Sequence, residues 1–291
     1  MDLRLPVVAG MFYESSPTTC RRHVDKLLTQ ADLPADLPDK PLGGIVPHAG
    51  WAYSGALAAK TLKALLAGQP ACTVVLFGAD HTGAVRMGEV FASGVWRTPM
   101  GDAPVDDALA AAVLAAGAPL RANPQAHARE HSLEVQVPII QVLAPQAKVL
   151  PIAVPPTDLA VEVGQAVGRA ASEAGAAVRV VGSTDLTHHG GPRFPAPGGR
   201  GEAGEKWTAA NDRRMIDLLE KMDAEAVVAE AEEHMNACGA GAAAAAVAAC
   251  RQLGATRGIC LDYTNSYRVV HEKYPYEMDD TTVGYAAVVF A

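Results

Sequence analysis

The sequence predicts an α/β fold, a single domain in which helices cover both faces of a mostly parallel or mixed central sheet. Short apolar runs rich in β-branched residues alternate along the 291 residues with longer Ala- and Leu-rich segments of helical spacing. Hydrophobic residues make up 49% and charged residues 19%, which is enough apolar material for a sizeable core. No linker divides the chain, so residues 1–291 are predicted to form one domain.

Each predicted element has its own local signal. A helix over 55–68 ends at Gly68, and a helix over 105–117 has Asp106 or Asp107 in its first turn and Gly117 as its stop. The predicted strands are GGIVPH (43–48), CTVVLFGADH (72–81), AKVLPIAV (147–154), AAVRVVGSTD (176–185) and TTVGYAAVVFA (281–291). Further helices are predicted at 159–175, 211–222 and 239–250.

Charge and cysteine usage exclude several classes of protein. The net charge is -8 and no basic stripe occurs, which argues against a nucleic-acid partner. No apolar run of about 18 residues occurs that would span a membrane, and the N-terminus lacks the pattern of a signal peptide. The five cysteines are widely spaced and form no CxxC pair, so we expect a cytoplasmic protein with reduced thiols.

Three predicted strands end in side chains that can carry chemistry. In open α/β sheets, ligands bind beyond the carboxyl ends of the strands. If these strands are parallel neighbours, their terminal side chains converge. The motifs are IVPHAG with His48, VVLFGADHTG with Asp80 and His81, and VRVVGSTDLTHHG with Asp185, His188 and His189.

Imidazoles and an anionic ligand are the donors of an open divalent-metal site. The third ligand could be a carboxylate or a thiolate, and Cys238 stands immediately before a predicted Gly-Ala helix. Free backbone N–H groups at a helix N-terminus lower the pKa of a thiol, so we expect an acidic Cys238. An isolated cysteine at such a position can equally be a small packing residue.

Two other segments have alternative interpretations. HAREH, residues 127–131, matches the H-x-x-E-H pattern of inverted zinc peptidases, but it follows a loop rather than lying inside a helix, which disfavours that chemistry. The Pro- and Gly-rich residues 192–205 are predicted to form a mobile surface loop, which is either a lid over a site or an inert insertion. No P-loop and no G-x-S-x-G elbow occur.

Six motifs taken together resemble the Memo-like family, which includes the AmmeMemoRadiSam system protein B of bacteria. They are VAGMFY, PHAGWAYSG, GADH, EHSLEVQVP, STDLTHHG and NACGAG, and they extend over nearly the whole chain. The family is similar in fold to the class III extradiol (LigB-type) non-haem iron dioxygenases. The resemblance implies that His48 and His81 are metal ligands, and that Cys238 replaces the carboxylate ligand of the dioxygenases. It likewise implies His188 as the acid/base and Asp185 in the same pocket.

The resemblance also implies lesser roles for neighbouring residues. His131 would lie beside the ligands and assist catalysis, and Glu134 is a weaker candidate of the same kind. Asp80 stands where the family often has Ser, and it could add a carboxylate near the metal or orient His81 through its other ring nitrogen.

The function implied is that of a non-haem iron oxygenase-like enzyme acting on a small organic substrate. Fe(II) is the implied metal, and two His and one Cys also accept Cu or Zn. The alternative is a metal- or peptide-binding adaptor or redox protein without turnover, because fold alone does not fix function. The family association implies AMMECR-type and radical-SAM proteins as partners.

Overall fold

A nine-stranded sheet lies at the centre of the computed structural model, which describes residues 2–38, 41–69, 72–274 and 281–291. The strands are β1 (Leu3–Arg4), β2 (Gly43–Val46), β3 (Thr73–Gly78), β4 (Gly88–Val90), β5 (Val95–Thr98), β6 (Gly101–Pro104), β7 (Leu120–Ala122), β8 (Lys148–Ala153), β9 (Val178–Ser183), β10 (His188–His189), β11 (Gly258–Asn265) and β12 (Thr282–Phe290).

The helices are α1 (Pro17–Gln30), α2 (Trp51–Leu66), α3 (Asp107–Leu114), α4 (Val137–Leu143), α5 (Leu159–Glu173), α6 (Gly201–Glu220), α7 (Ala224–His234), α8 (Ala240–Gln252) and α9 (Ser266–Lys273). Two short 3₁₀ turns, Pro124–His127 and Glu134–Gln136, precede α4. No helix among the described residues is long and apolar enough to cross a membrane.

The large sheet is mixed, with a parallel centre. Its strands follow the order β10-β12-β2-β9-β3-β8-β4-β7, and β11 also pairs with β12. β2, β9, β3 and β8 are mutually parallel neighbours, whereas β12 is antiparallel to β2 and to β11. A separate three-stranded sheet has the order β1-β5-β6. The predicted mixed α/β architecture is confirmed.

Helices cover both faces of the sheet because alternate strand residues point in opposite directions. In β3, Val74 and Leu76 join the cluster that contains residues of α1, α2 and α4. Val75 and Phe77 join the opposite cluster, which contains residues of α3, α5 and α8. Full burial of a side chain of this kind contributes about 1.5–3 kcal/mol relative to exposure.

Small residues allow α5 and α8 to pack closely on one face. A Cβ at Gly164 would lie 2.2 Å from the carbonyl oxygen of Ala245, so only glycine fits there. Eight of the 13 residues of α8 are buried alanines. Close backbone approach replaces large side chains as the means of filling this layer, and it brings the start of α8 to the edge of the sheet.

The predicted strands and helices are all present, and the largest changes of boundary are at the starts of α2 and α6. α2 begins at Trp51 rather than residue 55, and Trp51 is a core residue whose indole N–H donates to the carbonyl of Val135. α6 begins at Gly201, so residues 201–205 are helical and the prediction that the loop extends to residue 205 is wrong. The cause is Glu205, a buried residue of α6 whose carboxylate accepts a hydrogen bond from Asn265.

Candidate metal centre

Three strand ends lie side by side at one edge of the sheet. β2 and β3 both pair in parallel with β9, so their carboxyl ends point to the same edge. His48 follows β2, His81 follows β3, and Asp185 and His188 follow β9. The predicted convergence of these strand ends is therefore confirmed.

Three histidines form a compact group at this edge. The ligand-capable atoms of His48, His81 and His131 all lie within 4.8 Å of one another. The ring centroids are 5.0 Å apart for His48 and His81, and 4.6 Å apart for His81 and His131. His48 is buried, His131 is half-buried, and His81 is exposed, with 30% of its side chain accessible to solvent. His131, predicted as a neighbour of the ligands, is geometrically a member of the group.

The turn that carries His48 is held through its backbone. Asp185 Oδ1 accepts hydrogen bonds from the main-chain N–H groups of His48, at 2.7 Å, and Ala49, at 3.3 Å. The side chain of Gln136 donates to the carbonyl of Pro47 at 2.8 Å. Burial raises the pKa of Asp185 above its ordinary value. The structure thus gives Asp185 a positioning role at the turn that carries His48.

Ser183 fixes which nitrogen of His48 faces the group. Its hydroxyl donates its one proton to the carbonyl of Ser132 at 2.8 Å. The contact of 3.0 Å between the same oxygen and His48 Nδ1 therefore requires Nδ1–H to be the donor. This assignment leaves the lone pair on Nε2. Burial, and then the charges of His81 and His131, lower the pKa of His48 and keep it neutral.

Glu130 holds His81 at two points. The buried carboxylate accepts from the main-chain N–H of His81 at 2.8 Å and lies 2.9 Å from His81 Nδ1. Although burial by itself lowers the pKa of His81, the hydrogen bond and charge of Glu130 raise it overall. Burial opposes ionisation of Glu130, yet hydrogen bonds from His81 and Ser132 hold its pKa well below the usual range.

Cys238 contacts the group through His48. Its Sγ lies 3.2 Å from His48 Nε2, the nitrogen that carries the lone pair. A Cβ at Gly239 would lie 2.3 Å from the carbonyl oxygen of Ser183, so glycine is needed for this close approach to β9. The expectation of an acidic thiol is wrong. α8 begins only at Ala240, and burial, followed by the carboxylate of Asp185, raises the pKa of Cys238.

His188 lies beside this group with one nitrogen committed. Its Nδ1 lies 3.0 Å from the carbonyl of Leu186, which makes Nδ1–H the donor and leaves Nε2 for a ligand. The charge of His188 acts on the pKa of both Asp185 and His48, so the ring lies within electrostatic reach of the site.

Two predicted neighbours of the site have other roles. Asp80 accepts from the N–H groups of Thr82, Ala84 and Val85, so it stabilises its own turn and Glu130 orients His81 instead. Glu134 is buried and bound to the N-terminal segment, where it accepts hydrogen bonds from the side chains of Arg4 and Tyr13 and the backbone of Val7 and Val8.

The HAREH segment does not form a peptidase site. His127 is fully buried, its Nε2–H donates to the carbonyl of Glu89 at 2.8 Å, and its ring packs against Phe91 and Trp96. Burial lowers the pKa of His127 to about 4. The motif spans a 3₁₀ turn and irregular chain rather than an α-helix, which agrees with the sequence interpretation.

Sequence reasoning missed Ser183 and Gln136, and it placed Glu130 only among polar groups facing a site or solvent, without its role in orienting His81. All three are buried and act on histidine-bearing segments distant in sequence. Glu130 stands next to His131, and this pairing of carboxylate and imidazole was a signal in the sequence.

The chain is similar to proteins of one family over almost its full length. A family model described as "Memo-like protein" matches residues 4–289. A MEMO1 family protein of Methanopyrus kandleri is 33% identical over 296 residues, covering 99% of this chain and 98% of the relative. A MEMO1 family protein of Methanococcoides burtonii is 34% identical over 291 residues, covering 99% of both chains.

Proposed function

The chain belongs to the Memo-like family, and from this premise we propose that it is a metal-dependent, oxygenase-like enzyme acting on a small organic substrate. The observation that supports the proposal is the group of His48, His81 and His131 at the carboxyl edge of the sheet. We propose Fe(II) as the metal, with Cu and Zn as alternatives that the same donors accept.

The donor set fits such an ion. Both His48 and His81 have Nδ1 hydrogen-bonded to protein, at 3.0 Å and 2.9 Å, which leaves Nε2 as the ligand nitrogen. His131 or the thiol of Cys238, 3.2 Å from His48 Nε2, supplies the next donor. When bound, Fe(II) supplies redox and Lewis-acid chemistry that these side chains lack.

The remaining residues bind, position and move protons. His188 keeps Nδ1–H on the carbonyl of Leu186, so its Nε2 is the proton-transfer atom toward substrate. An imidazole nitrogen can both accept and donate a proton, which suits that exchange. Asp185 holds the His48 turn and thereby the position of the first ligand.

Anaerobic reconstitution with Fe(II), followed by oxygen-uptake measurements on a panel of small phenolic and amino-acid-derived compounds, tests this proposal. We expect uptake to depend on Fe(II) and on His188, and His188→Asn to retain metal but lose uptake. Metal binding without uptake would instead favour the alternative, a metal- or peptide-binding adaptor or redox protein. Co-purification with AMMECR-type and radical-SAM proteins tests the partners that we propose.

A further inference from the structure

A loop over residues 190–200 connects β10 to α6 and places one aromatic ring against His188. Phe194 packs edge-on against His188, with ring centroids 4.9 Å apart. Residues 191–193 and 195–197 are exposed, whereas Phe194 is half-buried. Phe194 is therefore the side chain of this stretch that turns toward the candidate site.

The distribution of phenylalanine in the chain sets Phe194 apart. Phe12 and Phe194 are the two half-buried phenylalanines, and each packs against a histidine of the site. The Phe12 ring lies 5.1 Å from the ring of His131. The other three are core residues, 0–2% exposed, namely Phe77, Phe91 and Phe290. Both phenylalanines that lie outside the core therefore pack against histidines of the candidate site.

The loop is built with glycines at both ends. Gly190 and Gly191 have φ of 73° and 65°, and Gly199 and Gly201 have φ of 81° and 57°. All four lie in the left-handed region, which glycine adopts at little cost. Backbone rotation at a few such terminal positions is how lids over active sites swing without disturbing the elements they connect.

Backbone hydrogen bonds inside the loop and contacts with His189 and Trp207 hold the loop in its present position. The N–H of Gly198 donates to His189 Nε2 at 3.3 Å, which is at the long end for such a bond. The ring of His189 packs on Trp207 of α6, with centroids 5.2 Å apart. A Cβ at Gly198 would lie 2.2 Å from Cβ of Trp207, so the loop rests directly on that side chain. Residues 191–193 and 195–197 are exposed, and solvent-exposed segments open at lower free-energy cost than core strands and helices.

We propose that residues 190–200 form a movable wall of the site, and that Phe194 determines which ligands reach His188. The ring covers His188 when the wall is closed. When the wall opens, Phe194 loses its edge-on contact with His188. A ligand with a flat apolar group can make an equivalent contact with the His188 ring, whereas a strongly hydrated group cannot. Phe194 is thus a specificity-determining residue, and this role rests on the proposed function of His188.

Carbethoxylation of histidines with diethyl pyrocarbonate, carried out on the protein as purified, tests whether Phe194 covers His188. The modification rate of each histidine is followed by peptide mass spectrometry in wild type, Phe194→Ala and Phe194→Leu. We expect His188 to react about 2- to 10-fold faster in Phe194→Ala, the range that corresponds to loss of one aromatic contact. Phe194→Leu restores part of the protection because it retains an apolar side chain.

The matched control is Arg193→Ala, which truncates an exposed neighbour in the same loop and leaves the rate at His188 unchanged. His271 on α9 is the internal reference in each variant. Equal rates at His188 in wild type and Phe194→Ala would overturn the proposal. A faster modification of buried His127 in Phe194→Ala would also overturn the proposal, because it would show that Phe194 stabilises the whole fold rather than covering His188. The probe needs neither metal nor turnover, so its result stands even if the metal proposal fails.

Discussion

Glu130 and His81 are joined at both the backbone and the side chain of the histidine, at 2.8 Å and 2.9 Å. The first contact fixes the turn after β3, and the second fixes the orientation of the imidazole. The same carboxylate lies 3.7 Å from Nδ1 of His131. One buried carboxylate therefore orients His81 and lies within ion-pair distance of a second clustered histidine. Carboxylates in this position also strengthen the basicity of a ligating imidazole.

Glu130→Gln should weaken metal binding by about 10- to 100-fold, because the neutral amide neither orients His81 as strongly nor raises its basicity. Competition titration with Zn(II) and Fe(II) measures the change. Glu14→Gln is the matched control, since Glu14 pairs with His23 at 2.7 Å outside the histidine group. Unchanged affinity in Glu130→Gln would show that the carboxylate does not support the metal.

Each of His48→Ala and His81→Ala should reduce the bound metal to background, because each removes an imidazole of the group. If His131 completes the donor set, His131→Ala should also reduce the bound metal to background. The metal content of all three variants is measured after anaerobic loading. His271→Ala, a half-buried histidine on α9 that stacks on Tyr267, should retain full metal content.

The sequence was informative where side chains follow regular strands. His48 and His81 follow β2 and β3, and parallel strands bring their ends to one edge, so alternation along the chain was enough to predict their proximity. The contact of Glu130 with His81 depends instead on how the irregular segment before α4 crosses that edge, which no periodic pattern encodes. The thiol pKa of Cys238 was mispredicted because burial outweighs the helix N-terminus.

The metal affinity of the wild type should rise with pH more steeply than that of Cys238→Ser. Burial and the Asp185 carboxylate raise the pKa of the Cys238 thiol, so a metal that takes the thiolate displaces a proton. This release contributes about a tenfold gain in affinity per pH unit between about pH 8 and pH 9. The serine hydroxyl keeps its proton in this pH range, and both proteins share the histidines. Equal slopes would identify the imidazoles alone as the ligands.

Asp212→Asn should stabilise the protein increasingly as the pH rises from about 4 to about 7. Burial raises the pKa of Asp212 to about 7, while its oxygens accept from Thr187 N–H and the Tyr263 hydroxyl. Across that window the native state retains a proton that the unfolded chain releases. The free energy of unfolding of the wild type therefore falls as the pH rises, and the total loss approaches about 4 kcal/mol. Urea unfolding at several pH values measures this. The control Asp217→Asn on the same helix should leave the slope unchanged, and a pH-independent loss of stability in Asp212→Asn would contradict the assignment.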